Sequence, residues 1–304
     1  MHVAICIVGF RNRDDIQACL GALELSVHTD FEVVICENGG EAACEALDAL
    51  LAGVSAGPKI TLIRAPGNIG YAGGVNLCVD HAPAAEAWWI LNPDTLPDPQ
   101  ALGRMCARLA GDESEAVGCT VLDASGHVSS RGGLWIRWLA RAVSIDHGAL
   151  AAAAGSPQID LRPDYLSGAS MLVSRAFIDR VGKMREDYFL YGEEVEWCLR
   201  AGARGVRLAV ASDANVLHQQ GTTTGSVSRM SERTRMPIYL DERNKLLITR
   251  DCFPGLLPIA TVGALLMLVL RFGRRGAWAQ LGYALDGWWH GVRGQRGKPA
   301  WIGD

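Results

Sequence analysis

Short apolar runs separated by segments of helical period fill the first third of the chain. Residues 3–8 form an unbroken apolar run, the pattern of a strand buried on both faces. Apolar positions at helical spacing follow over 16–25. The alternation continues with a strand at 31–36, a helix at 42–51, a strand at 60–63, a helix at 72–81 and a strand at 87–91. A helix over 99–109 follows, with Pro99 at its start. This rhythm predicts an α/β fold: a mostly parallel sheet with helices on both faces.

The pattern then loosens. Strands are expected at 117–122, 165–174 and 206–211, and helices at 175–181 and 193–201. Residues 134–154 mix aromatics, arginines and an alanine tract without a period that assigns them. Residues 222–235 are rich in Ser, Thr and Arg and read as a loop or lid. Residues 252–270 carry no charge, and Arg271, Arg274 and Arg275 follow directly.

Composition narrows the classes. A chain of 304 residues supports one large or two small domains with a sizeable core. Charged residues make up 20% and hydrophobic ones 49%, which excludes a largely disordered chain. The net charge of -4 argues against general nucleic-acid binding. The nine cysteines stand singly, with no C-x-x-C pair, so a reducing cytoplasm is expected rather than a disulfide framework or thiolate metal site. The N-terminus enters a strand at once, without the pattern of a signal peptide.

The candidate chemistry stands at the ends of the strands. Asn92-Pro93-Asp94-Thr95 follows the run 87–91. Ligands of open parallel sheets bind at that edge, where a carboxylate suits Mg²⁺ or Mn²⁺; Asn-Pro-Asp is also an ordinary turn. Glu37 and Asn38 end the second strand, either to accept hydrogen bonds from a ribose or base or to form an Asn-Gly turn. The segment from Asn68 through Gly70, Tyr71, Gly73 and Gly74 to Asn76 follows a strand and opens a helix. Its glycines allow either close approach of a phosphate or close packing, and it is not the dinucleotide fingerprint. Arg11 and Asn12 follow the first strand, placed for a nucleotide contact or for a solvated loop.

The densest acidic motif is Gly192-Glu193-Glu194-Val195-Glu196. Val195, Cys198 and Leu199 recur at helical spacing as the buried stripe, and Glu194 flanks it. That places Glu194 in a partly buried cleft, where its pKa rises toward that of a general base. Glu193 and Glu196 fall on the other side with Arg200 and read as stabilisers of the helix N-terminus. His218 closes a late strand and becomes a candidate metal or phosphate ligand in the company of Asp94.

In order and spacing, the segments 3–12, 33–40, 68–76, 91–99, 168–182 and 187–205 resemble the inverting family-two glycosyltransferases of GT-A fold. The likeness is to a bacterial subgroup that includes rhamnosyltransferases of cell-wall and surface-polysaccharide assembly, and 286–294 resembles that subgroup's C-terminal tail. The resemblance implies a catalytic domain over 1–225 and a helical, membrane-associated region over 226–304. It implies Glu194 as catalytic base and a Mg²⁺ or Mn²⁺ ion at Asp94 and His218. Donor contacts would fall on Phe10, Arg11, Asn12, Glu37, Asn38, Asn68, Gly70, Tyr71, Gly73, Gly74, Asn76 and Asn92. Glu37 and Glu194 are each one methylene longer than the family's usual aspartate, and Asn92 replaces the first acid of its Asp-x-Asp.

The implied reaction moves a sugar from a UDP- or dTDP-type donor to a glycan or lipid-linked acceptor, with inversion. A non-catalytic scaffold that binds nucleotide-sugar or lipid is the alternative; a nucleotidyltransferase ranks last, since 9–13 is a faint match to a phosphate loop. The expected location is cytoplasmic, peripheral at the inner face of the cell membrane. Residues 252–270 include Pro254, Pro258 and Gly263, and read as an interfacial or re-entrant helix rather than a span of ~20 apolar residues. Arg271, Arg274 and Arg275 would meet anionic headgroups, and Trp278, Tyr283, Trp288, Trp289 and Trp301 suit the membrane boundary. A core helix or an oligomer contact is the other reading of this segment.

Overall fold

The computed structural model describes residues 1–53, 57–111, 114–151, 161–219 and 232–303. The first strands pair in parallel: β1 (Val3–Gly9) lies between β2 (Phe31–Glu37) and β4 (Ala87–Leu91), and β3 (Ile60–Arg64) flanks β2. Helices α1 (Arg13–Glu24), α2 (Glu41–Leu51), α3 (Gly70–His81) and α4 (Ala101–Gly111) connect them or cover their faces. Alternate β1 side chains feed two apolar layers. Ala4, Cys6 and Val8 pack with Val75 and Cys78 of α3, whereas Val3, Ile5 and Ile7 pack with Ile16 of α1 and Leu102 of α4. Both faces are therefore covered, as the unbroken apolar run predicts.

Further strands widen the sheet. β5 (Thr95–Pro97), β6 (Ser114–Leu122), β7 (Val128–Ser130), β10 (Ser170–Ser174) and β11 (Arg207–His218) complete nine strands, in the order β3-β2-β1-β4-β10-β6-β11-β5 with β7 beside β6. β10 runs antiparallel to both β4 and β6, and β11 runs parallel to β6. The C-terminal ends of β1, β2, β4 and β11 consequently share one edge. Helices α5 (Arg175–Val181) and α6 (Glu193–Ala203) cover the α3 face through Phe177 and Trp197.

Two expected strands change length. The one expected at 165–174 begins only at Ser170; Tyr165 instead makes a single bridge to Gly133. The one expected at 206–211 continues to His218 across a register shift between Ala211 and Asn215. The unassigned 134–154 stretch contains a hairpin of β8 (Gly133–Ile136) and β9 (Arg141–Ser144), joined by a 3-10 turn at Arg137–Leu139.

Three helices end the chain: α7 (Arg235–Cys252), α8 (Leu257–Gly273) and α9 (Trp278–Val292). The prolines do not break α8; Pro254 lies in the 3-10 turn before it and Pro258 in its first turn, where no backbone N–H is needed. Gly263 lets α8 close on the β8–β9 turn, since a Cβ there would sit 2.6 Å from the Trp138 carbonyl oxygen. The segment Pro254–Gly273 is the one helix among the described residues long and apolar enough to cross a membrane, with mean hydropathy 2.0 and 22% of it buried. Trp278 and Trp289 are exposed, whereas Trp288 donates its indole N–H to the Thr261 carbonyl, 3.0 Å, and ties α9 to α8. Most of the loop expected at 222–235, and the boundary expected between 225 and 226, lie outside the described residues.

Candidate active site

The strand ends place the candidate residues side by side. At the end of β4 the chain turns through Asn92 and Asp94 into β5, held by the Thr95 hydroxyl donating to the Asn92 carbonyl, 2.6 Å. β5 pairs with the last residues of β11, with His218 opposite Thr95. That pairing brings His218 Nε2 to 3.0 Å from Asp94 Oδ1 and 3.5 Å from Asn92 Nδ2. Their side chains are 10% and 17% exposed for Asp94 and His218, so the pair opens onto the edge without standing free in solvent. No group of three or more His, Cys, Asp or Glu side chains that fits a metal occurs among the described residues. Asp94 and His218 fit a hard cation that takes its remaining ligands from phosphate oxygens and water, the usual arrangement for Mg²⁺.

Tyr71 links this pair to the acidic helix. Its hydroxyl lies 2.9 Å from both Asn92 Oδ1 and the Gly168 carbonyl oxygen. Gly168 in turn lies against Glu194; a Cβ at 168 would be 3.2 Å from Glu194 Cγ. Burial holds the Tyr71 phenol well above its usual pKa, and the charges of Glu193, Glu194 and Asp94 add to the effect. The three acids thus act on one hydroxyl.

Glu194 is partly buried at the start of α6. Burial raises its pKa, the backbone amides of the helix start oppose the shift, and the charge of Asp241 adds to it. Glu196 bonds Arg200 at 2.8 Å as its spacing predicts, although it is buried rather than solvated. Glu193 departs from the expectation. It is 2% exposed, its Oε2 has no hydrogen-bond partner among the described residues, and burial with the neighbouring Glu194 pushes its pKa well up. Helix phase grouped it with Glu196, but the left-handed Gly192 (φ +85°) starts the helix so that Glu193 turns inward.

The loop at 188–192 is held in an unusual shape. Phe189 and Tyr191 have φ of +70° and +71°, where non-glycine residues are uncommon. The Asn244 amide of α7 donates to the Leu190 and Tyr191 carbonyls, 2.8 and 2.6 Å, and lies 3.2 Å from that of Tyr188. Arg243 donates to the Tyr188 carbonyl at 2.7 Å. The Tyr71 amide donates to Phe189 O, 2.9 Å. Gly70 (φ +79°) is needed there, because a Cβ would meet that oxygen at 2.1 Å. Sequence reading passed over Arg243 and Asn244. The available signal was the helical spacing of Tyr239, Leu240, Arg243, Leu246 and Leu247, all of them buried.

The remaining candidates divide into two groups. Glu37 Oε1 accepts from the backbone amides of Arg11 and Gly39, 3.0 and 2.7 Å, while buried Oε2 has no partner among the described residues. Asn38 donates to the Gly70 carbonyl at 2.9 Å, and its buried Oδ1 likewise lacks one. Asn12 Oδ1 accepts from the Phe10 amide, 3.0 Å, and Asn68 Oδ1 from the Gly70 amide, 3.3 Å. These polar groups surround the same edge. Asn76 faces elsewhere: it donates to Met184 O and Glu186 Oε1 at 2.9 and 2.8 Å, and its oxygen accepts from the Met184 amide. Gly74 packs α3 on β1, with a Cβ there 2.6 Å from Val8 Cγ1, and Gly73 packs on Ile69.

The parallel strands β3-β2-β1-β4, followed by antiparallel β10 and covered by helices on both faces, have the architecture of the GT-A fold. The solved structure of the mannosyltransferase PcManGT from Pyrobaculum calidifontis, in complex with GDP-Man and Mn²⁺, matches this fold with TM-score 0.58 at 13% identity, covering 94% of this chain and 85% of that one. The family model described as glycosyltransferase like family 2 matches residues 2–236. The chain belongs to that family, and its fold is GT-A with an apolar C-terminal helix. Among curated relatives, it is 24% identical over 249 residues to the low-salt glycan biosynthesis hexosyltransferase Agl10 of Haloferax volcanii, spanning 79% of this chain and 78% of the relative. It is 26% identical over 235 residues to the N-acetylglucosaminyl-diphospho-decaprenol L-rhamnosyltransferase of Mycobacterium tuberculosis, spanning 68% and 72%.

Proposed function

We propose that the protein transfers a sugar, rhamnose by family likeness, from a UDP- or dTDP-type donor to a glycan or lipid-linked acceptor, with inversion. The observation that carries this reading is the link from Asp94 and His218 through Asn92, Tyr71 and Gly168 to the raised-pKa Glu194. In the proposed reaction Glu194 takes the proton of an acceptor hydroxyl. That oxygen forms a bond to the anomeric carbon as the bond from this carbon to the diphosphate oxygen breaks. The nucleoside diphosphate leaves with the electron pair, on the face opposite the attack. Asp94 and His218 would hold a Mg²⁺ or Mn²⁺ ion, which when bound offsets the charge of the leaving group. Backbone amides at the start of α3 would add to that.

The unpartnered acceptors Glu37 Oε2 and Asn38 Oδ1 support a nucleobase subsite, where a ring N–H of uracil or thymine would donate. Phe10, Arg11 and Asn12 would border it, and Asn68, Gly70 and Tyr71 would face the diphosphate. The outward stripe Ile259, Val262, Leu266, Val269 and Leu270 of α8, all at least 45% exposed, supports an interfacial helix at the inner face of the cell membrane. Such attachment suits an envelope glycan built on a lipid-linked acceptor. We place the catalytic domain at 1–225 and the membrane-associated region at 226–304.

Thermal unfolding with UDP, dTDP, GDP and CMP, each with and without Mg²⁺ or Mn²⁺, tests the donor site. A nucleotide at 100 times its Kd adds about 2.7 kcal/mol to native stability. The expected result is a metal-dependent shift for one nucleoside diphosphate that shrinks in Asp94→Ala. The absence of a shift with every nucleotide would contradict the reading.

A further inference from the structure

The residues that follow α9 return to the loop that leads into α6. The Gly297 amide donates to the Asp187 carbonyl, 2.7 Å. Arg296 donates to Asp187 Oδ2 at 3.2 Å and to Asp251 Oδ1 at 2.6 Å. Arg185 pairs with the same two acids, at 2.7 and 2.8 Å, and the Tyr188 hydroxyl donates to Asp251 at 2.7 Å. Two arginines thus share two carboxylates beside the buried Tyr188 ring, with the guanidinium carbons 5.7 and 5.8 Å from its centroid.

Arg243 of α7 joins the two segments directly. It is 1% exposed, and its guanidinium donates to the Gly297 carbonyl and to the Tyr188 carbonyl, 2.7 Å each. The far end of the segment is fixed as well. Trp301 meets the Tyr239 ring edge-on at 5.3 Å, and the Arg235 guanidinium lies 4.2 Å from the Trp301 ring. Ile302 packs against the cluster of Phe189, Tyr239 and Leu240. The loop held in this way makes two connections. Phe189 O receives the Tyr71 amide at the start of α3, and Gly192 leads into Glu193 and Glu194 at the start of α6.

We propose that residues 296–302 form a strap that fixes the start of α3 against the Glu194-bearing start of α6, with Arg296 as its positioning residue. The proposal rests on the sugar-transfer reading and gives a use in that reaction to residues beyond the family match at 2–236. Arg296 acts through Asp187 and Asp251, not on the substrate. The contacts proposed for the nucleotide and its metal, at Glu37, Asn38, Asp94 and His218, stand on other strand ends. Loosening the strap should therefore slow transfer without weakening the donor. A planar arginine fork bridges the two carboxylates, whereas lysine is a single point charge.

The test combines amide hydrogen exchange of the full chain with steady-state transfer from the donor identified by thermal shift, in Arg296→Ala, Arg296→Lys and Trp301→Ala. In Arg296→Ala, exchange over 186–192 and 69–72 should speed up by about tenfold or more, as charge-assisted hydrogen bonds are lost, while β1 and β2 keep their protection. The kcat should fall by about tenfold or more with the donor KM unchanged, because positioning is lost and binding is not. Arg296→Lys should recover part of both. Trp301→Ala, at a position 40% exposed and so gentler on folding, should show the same pattern in milder form. Wild-type exchange and kcat in both Arg296→Ala and Trp301→Ala would overturn the proposal. So would faster exchange spread evenly over β1 and β2, which is a global loss of stability, or a loosened loop with wild-type kcat. A wild-type protein with neither transfer nor a nucleotide-induced shift sinks sugar transfer itself, whereas unaltered exchange at 186–192 in the variants sinks the strap alone.

Discussion

Asn244 is the most informative side chain to perturb. It is 1% exposed, and its amide holds the carbonyls of a loop that carries two non-glycine residues at positive φ. Replacing it with alanine leaves the partly buried Leu190 and Tyr191 carbonyls without their donor. Each such loss is worth about 1–3 kcal/mol, so Asn244→Ala should cost about 2–4 kcal/mol after partial relaxation. For a chain of 304 residues that corresponds to roughly 3–6 °C in Tm. Asn244→Asp is nearly the same shape but sets a carboxylate oxygen against three carbonyl oxygens, and should be less stable still. Urea unfolding and thermal scans of the three proteins read this order directly. Once the Glu194-bearing helix loses its fixed entry, sugar transfer should fall with it. An alanine variant as stable as the wild type would refute the reasoning, because it removes the donor without adding a charge beside the Arg243 guanidinium, whose Nε donates to Asn244 Oδ1 at 2.9 Å.

Other expectations follow from the same contacts. Gly70→Ala should lose most of its transfer activity and its nucleotide-induced thermal shift, since the new Cβ meets Phe189 O at 2.1 Å on a backbone of φ +79°; an unchanged shift would count against the placement of the donor. Glu193→Gln should gain stability relative to the wild type as pH rises from 4.5 to 8. The unfolded carboxyl releases its proton near the ordinary value of 4.5, whereas the folded one keeps it to higher pH, so the wild type loses stability across that window and the variant does not. Urea unfolding at both pH values tests this, and a constant difference would oppose it. Asp241→Asn should move the acid limb of the pH–rate profile to lower pH, because the Asp241 charge helps hold the Glu194 proton; a limb that stays in place would separate Glu194 from that limb.

The parallel half of the sheet was legible because a strand buried on both faces has to be apolar where it is covered, and 3–8, 33–36 and 87–91 are. The β8–β9 hairpin was not, since β9 is largely exposed and its residues carry no alternation. α7 escaped for a different reason. Its buried face includes Glu242, Arg243, Asn244 and Thr249, polar groups that are satisfied by contacts the sequence does not announce. The meeting of Asp94 and His218 followed from their places at strand ends, although β5, the short strand that aligns them, was missed. In the glycine segment Gly70 is required by the close approach of Phe189, whereas Gly74 and Asn76 serve packing and the 184–186 turn. Glu193 and Glu196 show the limit of helix phase, which groups side chains on one face and cannot tell whether that face is covered.

The central claim is that Glu194 removes the acceptor proton while Asp94 and His218 serve the donor. Glu194→Gln keeps the shape of the side chain and removes its basicity, so the direct measurement is nucleotide binding and sugar transfer in that variant, with the donor identified by thermal shift. Nucleotide binding should be unchanged and transfer reduced by about 10²–10⁴-fold, the usual contribution of a positioned base. Transfer at the wild-type rate by Glu194→Gln would contradict it.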